Sequence, residues 1–92
     1  MKVLSTWALR SGAVKEAATR FLAGQAAAPE GTTLLGRWHK TDGTGGYSLF
    51  ETNNPAALYA GVIPWLDVLE IHNHLVIEDG DAGPALAKAF GK

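Results

Sequence analysis

The order in which strand and helix periodicities follow one another most constrains the fold of this chain. Residues 2–9 alternate as a strand does, and residues 11–22 carry apolar side chains at helical spacing, with Ser11 expected as the N-cap. Residues 32–40 and 47–52 predict two further strands, joined by a turn rich in glycine. The first half is therefore predicted to form a strand, a helix and a β-hairpin.

The second half adds a helix, a strand and a terminal helix. Asn54 and Pro55 predict a helix start, because asparagine caps helices and proline suits their first turn. Pro64 is expected to kink or end that helix early, since it lacks an N–H donor. The remaining predicted elements are a strand over residues 70–78, a turn over residues 79–81 and a helix over residues 84–90.

Together these elements give the order β-α-β-β-α-β with a short C-terminal helix, the ferredoxin-like arrangement of the α+β class. In that topology the first and third strands are central, the second and fourth form the edges, and both main helices cover one face of the sheet. A chain of 92 residues makes one small domain, residues 1–92, which buries a limited share of its surface. Because large exposed apolar patches are rare on single domains, we expect the open faces of two chains to pair in a homodimer.

Composition excludes several classes of function. The chain has no cysteine, which removes disulfides, a thiolate nucleophile and a cysteine zinc site, and which fits a reducing cytoplasm. The formal net charge of -1 lacks the excess of Lys and Arg that neutralises a phosphate backbone, so we expect no nucleic-acid partner. No run approaches the roughly 20 apolar residues of a membrane span, and we predict a soluble cytoplasmic protein without membrane contact.

Two of the three histidines stand one residue apart on the predicted fourth strand. His72 and His74 share one strand face, whereas Ile71, Leu75 and Ile77 share the other. The apolar set is expected to pack against the helices. The two histidines are therefore predicted to lie on the open face, as candidate ligand-binding residues.

The predicted second strand carries two further candidates, Arg37 and His39. We assign them, with Leu35, to the open face, because a charge would be costly beneath a helix. A guanidinium group matches the geometry of carboxylates, and imidazole exchanges a proton near neutral pH, so the two side chains could hold an anionic or carbonyl-bearing ligand, with Glu51 nearby. The alternative is that Arg37 pairs with Glu51 or Glu70 across the sheet and has a structural role only.

The histidines also raise the question of a metal. His39, His72 and His74 could in principle form a three-histidine site with one position open to water. A single His-x-His pair is weak evidence for such a site, so we predict no metal and no cofactor, and we regard the histidines as exposed or pocket-lining. No Ser-His-Asp arrangement, phosphate loop or dinucleotide fingerprint occurs, and no catalytic residue is assigned.

Several segments resemble a known family. The run Leu34-Leu35-Gly36-Arg37-Trp38-His39, the glycine-rich turn, the strand ending in Glu51, the Asn54-Pro55 helix start and the final Ala85–Lys92 stretch are similar to an uncharacterised bacterial family of short stand-alone proteins with the dimeric α/β-barrel fold. The resemblance covers nearly the whole chain and implies that fold and a homodimer. Wider relatives of the fold include cofactor-independent monooxygenases, muconolactone-isomerase-like enzymes, haem-degrading proteins and stress-response proteins.

Two functions of different class follow from the pattern and the resemblance. The first is a small-molecule binding protein or a small cofactor-independent enzyme, monooxygenase-like or isomerase-like, with a cavity on the open sheet face. The second is a non-enzymatic sensing or stress-response dimerisation module whose cavity is filled by its own side chains. The size and polarity of the cavity discriminate between the two.

The dimer that the resemblance implies also predicts a composite site. Within one chain the two edge strands lie roughly 14 Å apart, too far for Arg37 or His39 to act with His72 or His74 on one atom. Stacking two sheets face to face would bring the fourth strand of one chain near the second strand of the other. We therefore expect sites built from His72 and His74 of one chain and from Arg37 and His39 of its partner.

Overall fold

A computed structural model describes residues 1–91, and its elements follow the predicted order. The sheet has the strand order β2-β3-β1-β4, and neighbouring strands are antiparallel. The elements are β1 (Lys2–Leu9), α1 (Val14–Leu22), β2 (Thr32–His39), β3 (Gly45–Thr52), α2 (Pro55–Val62), a single 3₁₀ turn (Ile63–Trp65), β4 (Leu69–Val76) and α3 (Asp79–Phe90). The α+β class and the central and edge strands are confirmed, and the topology is compatible with a ferredoxin-like fold. The dimeric barrel stays a prediction.

The first residues of α1 and α2 show which local sequence features determine where a helix begins. Helix α1 begins at Val14 with Ala13 as its N-cap, so the prediction of Ser11 as the cap is wrong. The reason is Gly12, whose φ of 76° lies in the left-handed region and cannot belong to a helix. Helix α2 begins with Pro55 after Asn54 as predicted.

The end of α2 agrees with the sequence prediction, whereas the start of α3 does not. The early end of α2 is confirmed, because the chain tightens into the 3₁₀ turn that contains Pro64. The predicted turn over residues 79–81 is wrong, since these residues form the first turn of α3. Asp79 and Asp81 favour the positive end of the helix dipole there, and the Glu78 carbonyl accepts the N–H of Asp81 at 2.9 Å.

A β-bulge in β2 decides which side chains face the helices. Leu34 pairs with Phe50, but the next pair joins Gly36 to Leu49, so Leu35 is an extra residue in β2. Such an insertion exchanges the two faces for all residues that follow it.

The assignment of Arg37 and His39 to the open face is therefore wrong. Both lie on the face that the helices cover, where Arg37 pairs with Ser48 and His39 contacts Phe21 of α1. Gly36 and Trp38 face the open side instead. The expected cost of placing Arg37 beneath the helix layer is offset in part by a hydrogen bond to the Ala26 carbonyl.

The helix layer is packed against one end of the sheet. Ala17 of α1 forms a buried cluster with Val68 and Leu69 at the start of β4. Trp7 and Ile71 pack against the same cluster from the sheet. Over the rest of the covered face the helices stand away from the strands and leave open space.

Candidate functional site

The open space between the helices and the sheet is a cavity of about 630 Å³. Its floor comes from the covered face of all four strands, and its roof comes from α1, α2 and the segments that follow them. Ligand pockets in proteins commonly have volumes of roughly 300–1,000 Å³. The cavity therefore has the size of a small-molecule site, and it lies on the face opposite to the one that the sequence predicted.

A polar row crosses the floor of the cavity. Arg37 of β2 pairs with Ser48 of β3, Ser48 pairs with Ser5 of β1, and Ser5 pairs with Asn73 of β4. Paired residues lie side by side on the same face, so these four side chains form one line across the sheet. Ser5 and Ser48 are 6% and 4% exposed and line the cavity, whereas Asn73 is exposed at the edge.

Apolar side chains border the polar row on both sides. Toward one end of the strands the next cavity-lining residue is Phe50, and toward the other end it is Trp7. The indole of Trp7 lies over Gly46, where any side chain would overlap the ring. Glycine at this position thus allows the indole to lie against the sheet and to shape the floor.

Arg37 is the charged member of the polar row. Its Nη2 donates to the Ala26 carbonyl at 2.6 Å, and its guanidinium lies 5.6 Å from the centre of the Phe21 ring. No carboxylate oxygen within residues 1–91 approaches it within 4 Å. Burial without a compensating anion lowers the pKa of Arg37 below its ordinary value.

His39 lies between two aromatic rings at the rim of the cavity. Its imidazole meets the Trp7 indole edge-on at a centroid distance of 5.2 Å and the Phe21 ring at 5.3 Å. These contacts orient the ring. His39 and Arg37 thus line the same cavity, which lies on the covered face of the sheet and not on the predicted open face.

A second arginine fastens the roof. Arg20 of α1 donates to both carboxylate oxygens of Asp67, to Glu16 at 2.9 Å and to the Pro64 carbonyl at 3.1 Å. These bonds tie α1 to the connection between α2 and β4, and they lower the pKa of Asp67 and raise that of Arg20. Arg20 also lines the cavity, but its charge is fully balanced.

The other predicted site residues lie on the open face. His72 is 3.5 Å from Glu70, its neighbour on that face, and His74 pairs with Leu4 of β1. Glu51 pairs with Lys2 on the same face, 3.9 Å from the N-terminal amine. Their role in binding a ligand stays a prediction.

The sheet separates the two groups of candidates. Arg37 and His39 point toward the helices, whereas His72, His74 and Glu51 point away from them. The three histidines therefore do not converge, and residues 1–91 contain no group of three metal-ligating side chains. The composite site assumed that Arg37 and His39 lie on the open face, and that assumption is wrong; a site shared between two chains stays a prediction.

Some cavity residues were missed by the sequence reasoning. Ser5 and Ser48 were not selected as site residues, although Ser5 stands between Val3 and Trp7 on one face of a strand that is otherwise largely apolar. A polar residue on an apolar strand face is the sequence feature that could have identified Ser5 as a site residue. Phe21, near the end of α1, is 39% exposed and forms part of the cavity wall.

Comparison with protein families finds a match over almost the whole chain. Residues 1–90 match the family described as "Domain of unknown function (DUF3303)". The uncharacterised family expected from the resemblance is thereby confirmed. A comparison with curated proteins finds no match to the chain. Within residues 1–91, no helix has the length and apolar character that crossing a membrane requires.

Proposed function

The chain belongs to this DUF3303 family of unknown function, and we propose from its own geometry that it binds a small organic molecule in the cavity between the helices and the sheet. The observation that carries the proposal is an open volume of about 630 Å³ with aromatic walls and few polar groups. Small-molecule sites are typically concave and apolar, with a small number of polar side chains that orient the ligand.

The open volume favours this function over the alternative module whose cavity is filled by its own side chains. The walls leave room for a ligand of one or two rings. Ala17 and Ala18 of α1 and Ala26 and Ala27 of the following loop line the cavity with short side chains, which is how the space stays open. A sensing role remains compatible with ligand binding, because a sensor must also hold its ligand.

A cofactor-independent enzyme is the catalytic form of the same proposal. Proton transfer to or from the bound molecule would fall to His39, because it is the imidazole that lines the cavity. The edge-on contacts with Trp7 and Phe21 favour one orientation of the ring. Replacing His39 with Gln should then preserve binding and abolish turnover.

A matched pair of variants tests binding in the cavity. The uncharged dye N-phenyl-1-naphthylamine, which fluoresces in apolar surroundings, is the probe. Ala18→Trp places an indole in the cavity and should abolish the fluorescence gain, whereas Ala85→Trp on the exposed α3 should leave it unchanged. Equal dye binding by both variants, with far-ultraviolet circular dichroism unchanged, would contradict the proposal.

We propose in addition that the chain forms a homodimer through the open face of the sheet. Trp38 and Tyr47, which are paired on that face, are 55% and 44% exposed. Helix α3 leaves Leu86 and Phe90 at 58% and 82% exposed. Exposed large apolar groups of this kind favour burial against a second chain. The cytoplasmic location and the bacterial source also stay predictions.

A further inference from the structure

Arg37 is the unbalanced charge in the cavity. Two arginines line the space, and Arg20 is neutralised by Glu16 and Asp67. Arg37 instead has one neutral partner, the Ala26 carbonyl, and no carboxylate of residues 1–91 within 4 Å. A half-buried guanidinium that lacks an anion leaves most of its hydrogen-bond donors available to a ligand.

The neighbouring hydroxyls extend the same recognition surface. Ser48 lies directly beside Arg37 across the β2–β3 pair, and Ser5 lies beside Ser48 across the β3–β1 pair. Cross-strand neighbours have Cβ atoms roughly 5 Å apart, which is within the span of a carboxylate and an adjacent polar group. A serine O–H donates to an anionic oxygen, so both hydroxyls can add to the bond from the guanidinium.

The rest of the cavity restricts the ligand further. Phe50 and Trp7 border the polar row along the strands, and Phe21 lies above the guanidinium. These apolar surfaces suit a hydrocarbon or aromatic body. Of the two arginines that line the cavity, Arg37 is the one without an anionic partner within residues 1–91. A ligand with one negative charge would balance it, whereas a second negative charge on the ligand would have no arginine to balance it.

Resting on the function proposed above, we infer that the ligand is an amphiphilic monocarboxylate, whose carboxylate binds Arg37 and Ser48 and whose apolar body lies among Phe50, Trp7 and Phe21. The carboxylate oxygens accept hydrogen bonds from the free guanidinium N–H groups and from the Ser48 hydroxyl. The bond from Arg37 to Ala26 then holds the guanidinium in place for the ligand.

An isosteric pair of probes tests the charge. 1-Naphthylacetate and 1-naphthylacetamide have the same shape and differ in the negative charge, and their binding is measured by isothermal titration calorimetry. Charge-assisted hydrogen bonds predict that the wild-type chain binds the acid at least about tenfold more tightly than the amide. Raising the salt concentration should weaken binding of the acid only.

Variants of the chain test which side chains bind the carboxylate. Arg37→Met should reduce binding of the acid to the level of the amide and leave binding of the amide unchanged, and Ser48→Ala should weaken binding of the acid by roughly three- to tenfold. Lys40→Met, which removes one exposed positive charge outside the cavity, should change neither. Arg37→Lys, which keeps the charge but not the fork geometry, should have intermediate affinity for the acid.

The outcomes separate this inference from the proposed function. Equal binding of acid and amide by the wild-type chain would overturn the monocarboxylate and leave the apolar cavity site standing. Failure of both naphthyl probes and of the uncharged dye would overturn the cavity site itself. Because the wild-type comparison alone decides the charge, the test stands even where an Arg37 variant does not fold.

Discussion

Arg20 and Asp67, which lie 47 positions apart, are joined by two parallel hydrogen bonds of 3.0 and 2.6 Å between the guanidinium and the carboxylate. The pair fixes α1 against the connection that leads into β4. Because α1 and that connection both line the cavity, the pair also holds these two parts of the cavity wall together. A bidentate arginine–carboxylate pair of this kind is more directional than an ordinary surface ion pair.

The first prediction concerns pH. Hydrogen bonds from Arg20 lower the pKa of Asp67 in the folded chain below its ordinary value of 3.8. The stabilisation is therefore fully present above about pH 4 and is lost as the pH falls through the folded pKa. We expect Asp67→Asn to lower the melting temperature by a few degrees at pH 7, and we expect this difference from the wild type to shrink as the pH falls below about 4.

Other carboxylates titrate in the same range, so the comparison needs a control. Lys2 lowers the pKa of Glu78, and Thr44 lowers that of Asp42. The wild type and Asp67→Asn share both of these groups, and their effects cancel in the difference. Glu30→Gln, in the exposed loop before β2, removes a carboxylate that forms no ion pair within residues 1–91 and should leave the melting temperature at pH 7 unchanged. If the melting temperature of Asp67→Asn were lower than that of the wild type by the same amount at all pH values, the lost ion pair would not be the cause of the destabilisation.

The second prediction concerns the contribution of α2 to stability. Leu58 is 7% exposed and packs on the cavity side of α2, whereas Leu22 at the end of α1 is 83% exposed. Leu58→Ala should reduce the free energy of unfolding by about 2–3 kcal/mol, at the low end for buried leucines because the side chain already borders open space. Leu22→Ala should change it by less than about 0.5 kcal/mol. Urea denaturation measures both, and equal effects would contradict the placement of α2.

The sequence predicts those features of the structure that depend on residues close together in the chain. The element order and the strand positions followed from periodicity and from glycine and proline, which act within a few residues. The open-face position of His72 and His74 also followed, since β4 pairs regularly with β1 from Leu69 to Val76. Alternation is a reliable guide wherever a strand has no bulge.

The site itself was harder to predict, because its residues follow a bulge. Leu34 and Leu35 are both leucines, so the sequence does not indicate which of them is the extra residue. A one-residue insertion exchanges the faces, and this placed Arg37 and His39 opposite to the prediction. The hydrogen bond from Arg37 to Ala26, which makes a covered position acceptable, depends on a loop whose course was not readable from the sequence.

The third prediction uses two glycines in opposite surroundings. At Gly46 an added methyl group would overlap both the Trp7 indole and the Trp38 carbonyl oxygen, while at Gly80 in α3 nothing lies within 4 Å. Gly46→Ala should therefore lower the free energy of unfolding by about 1–3 kcal/mol or more, as overpacking does. Gly80→Ala, in the first turn of α3, should raise it slightly, by up to about 0.5 kcal/mol, because alanine favours the helix. Urea denaturation checks the opposite signs, and a stabilising Gly46→Ala would contradict the close approach of Trp7.

The last prediction concerns the homodimer. Trp38 lies over Gly36 on the open face and is 55% exposed, so a dimer through this face would bury its indole. Trp38→Glu would place a charge in that interface, and we expect a shift from dimer to monomer in sedimentation velocity at micromolar concentration. Tyr59→Glu on α2, where Tyr59 is 67% exposed, should leave the dimer intact. Since a stable interface buries about 1,200 Å² or more in total, the wild-type dimer should persist at these concentrations. A wild-type chain that sediments only as a monomer, or a Trp38→Glu variant that remains dimeric, would exclude the open face as the interface.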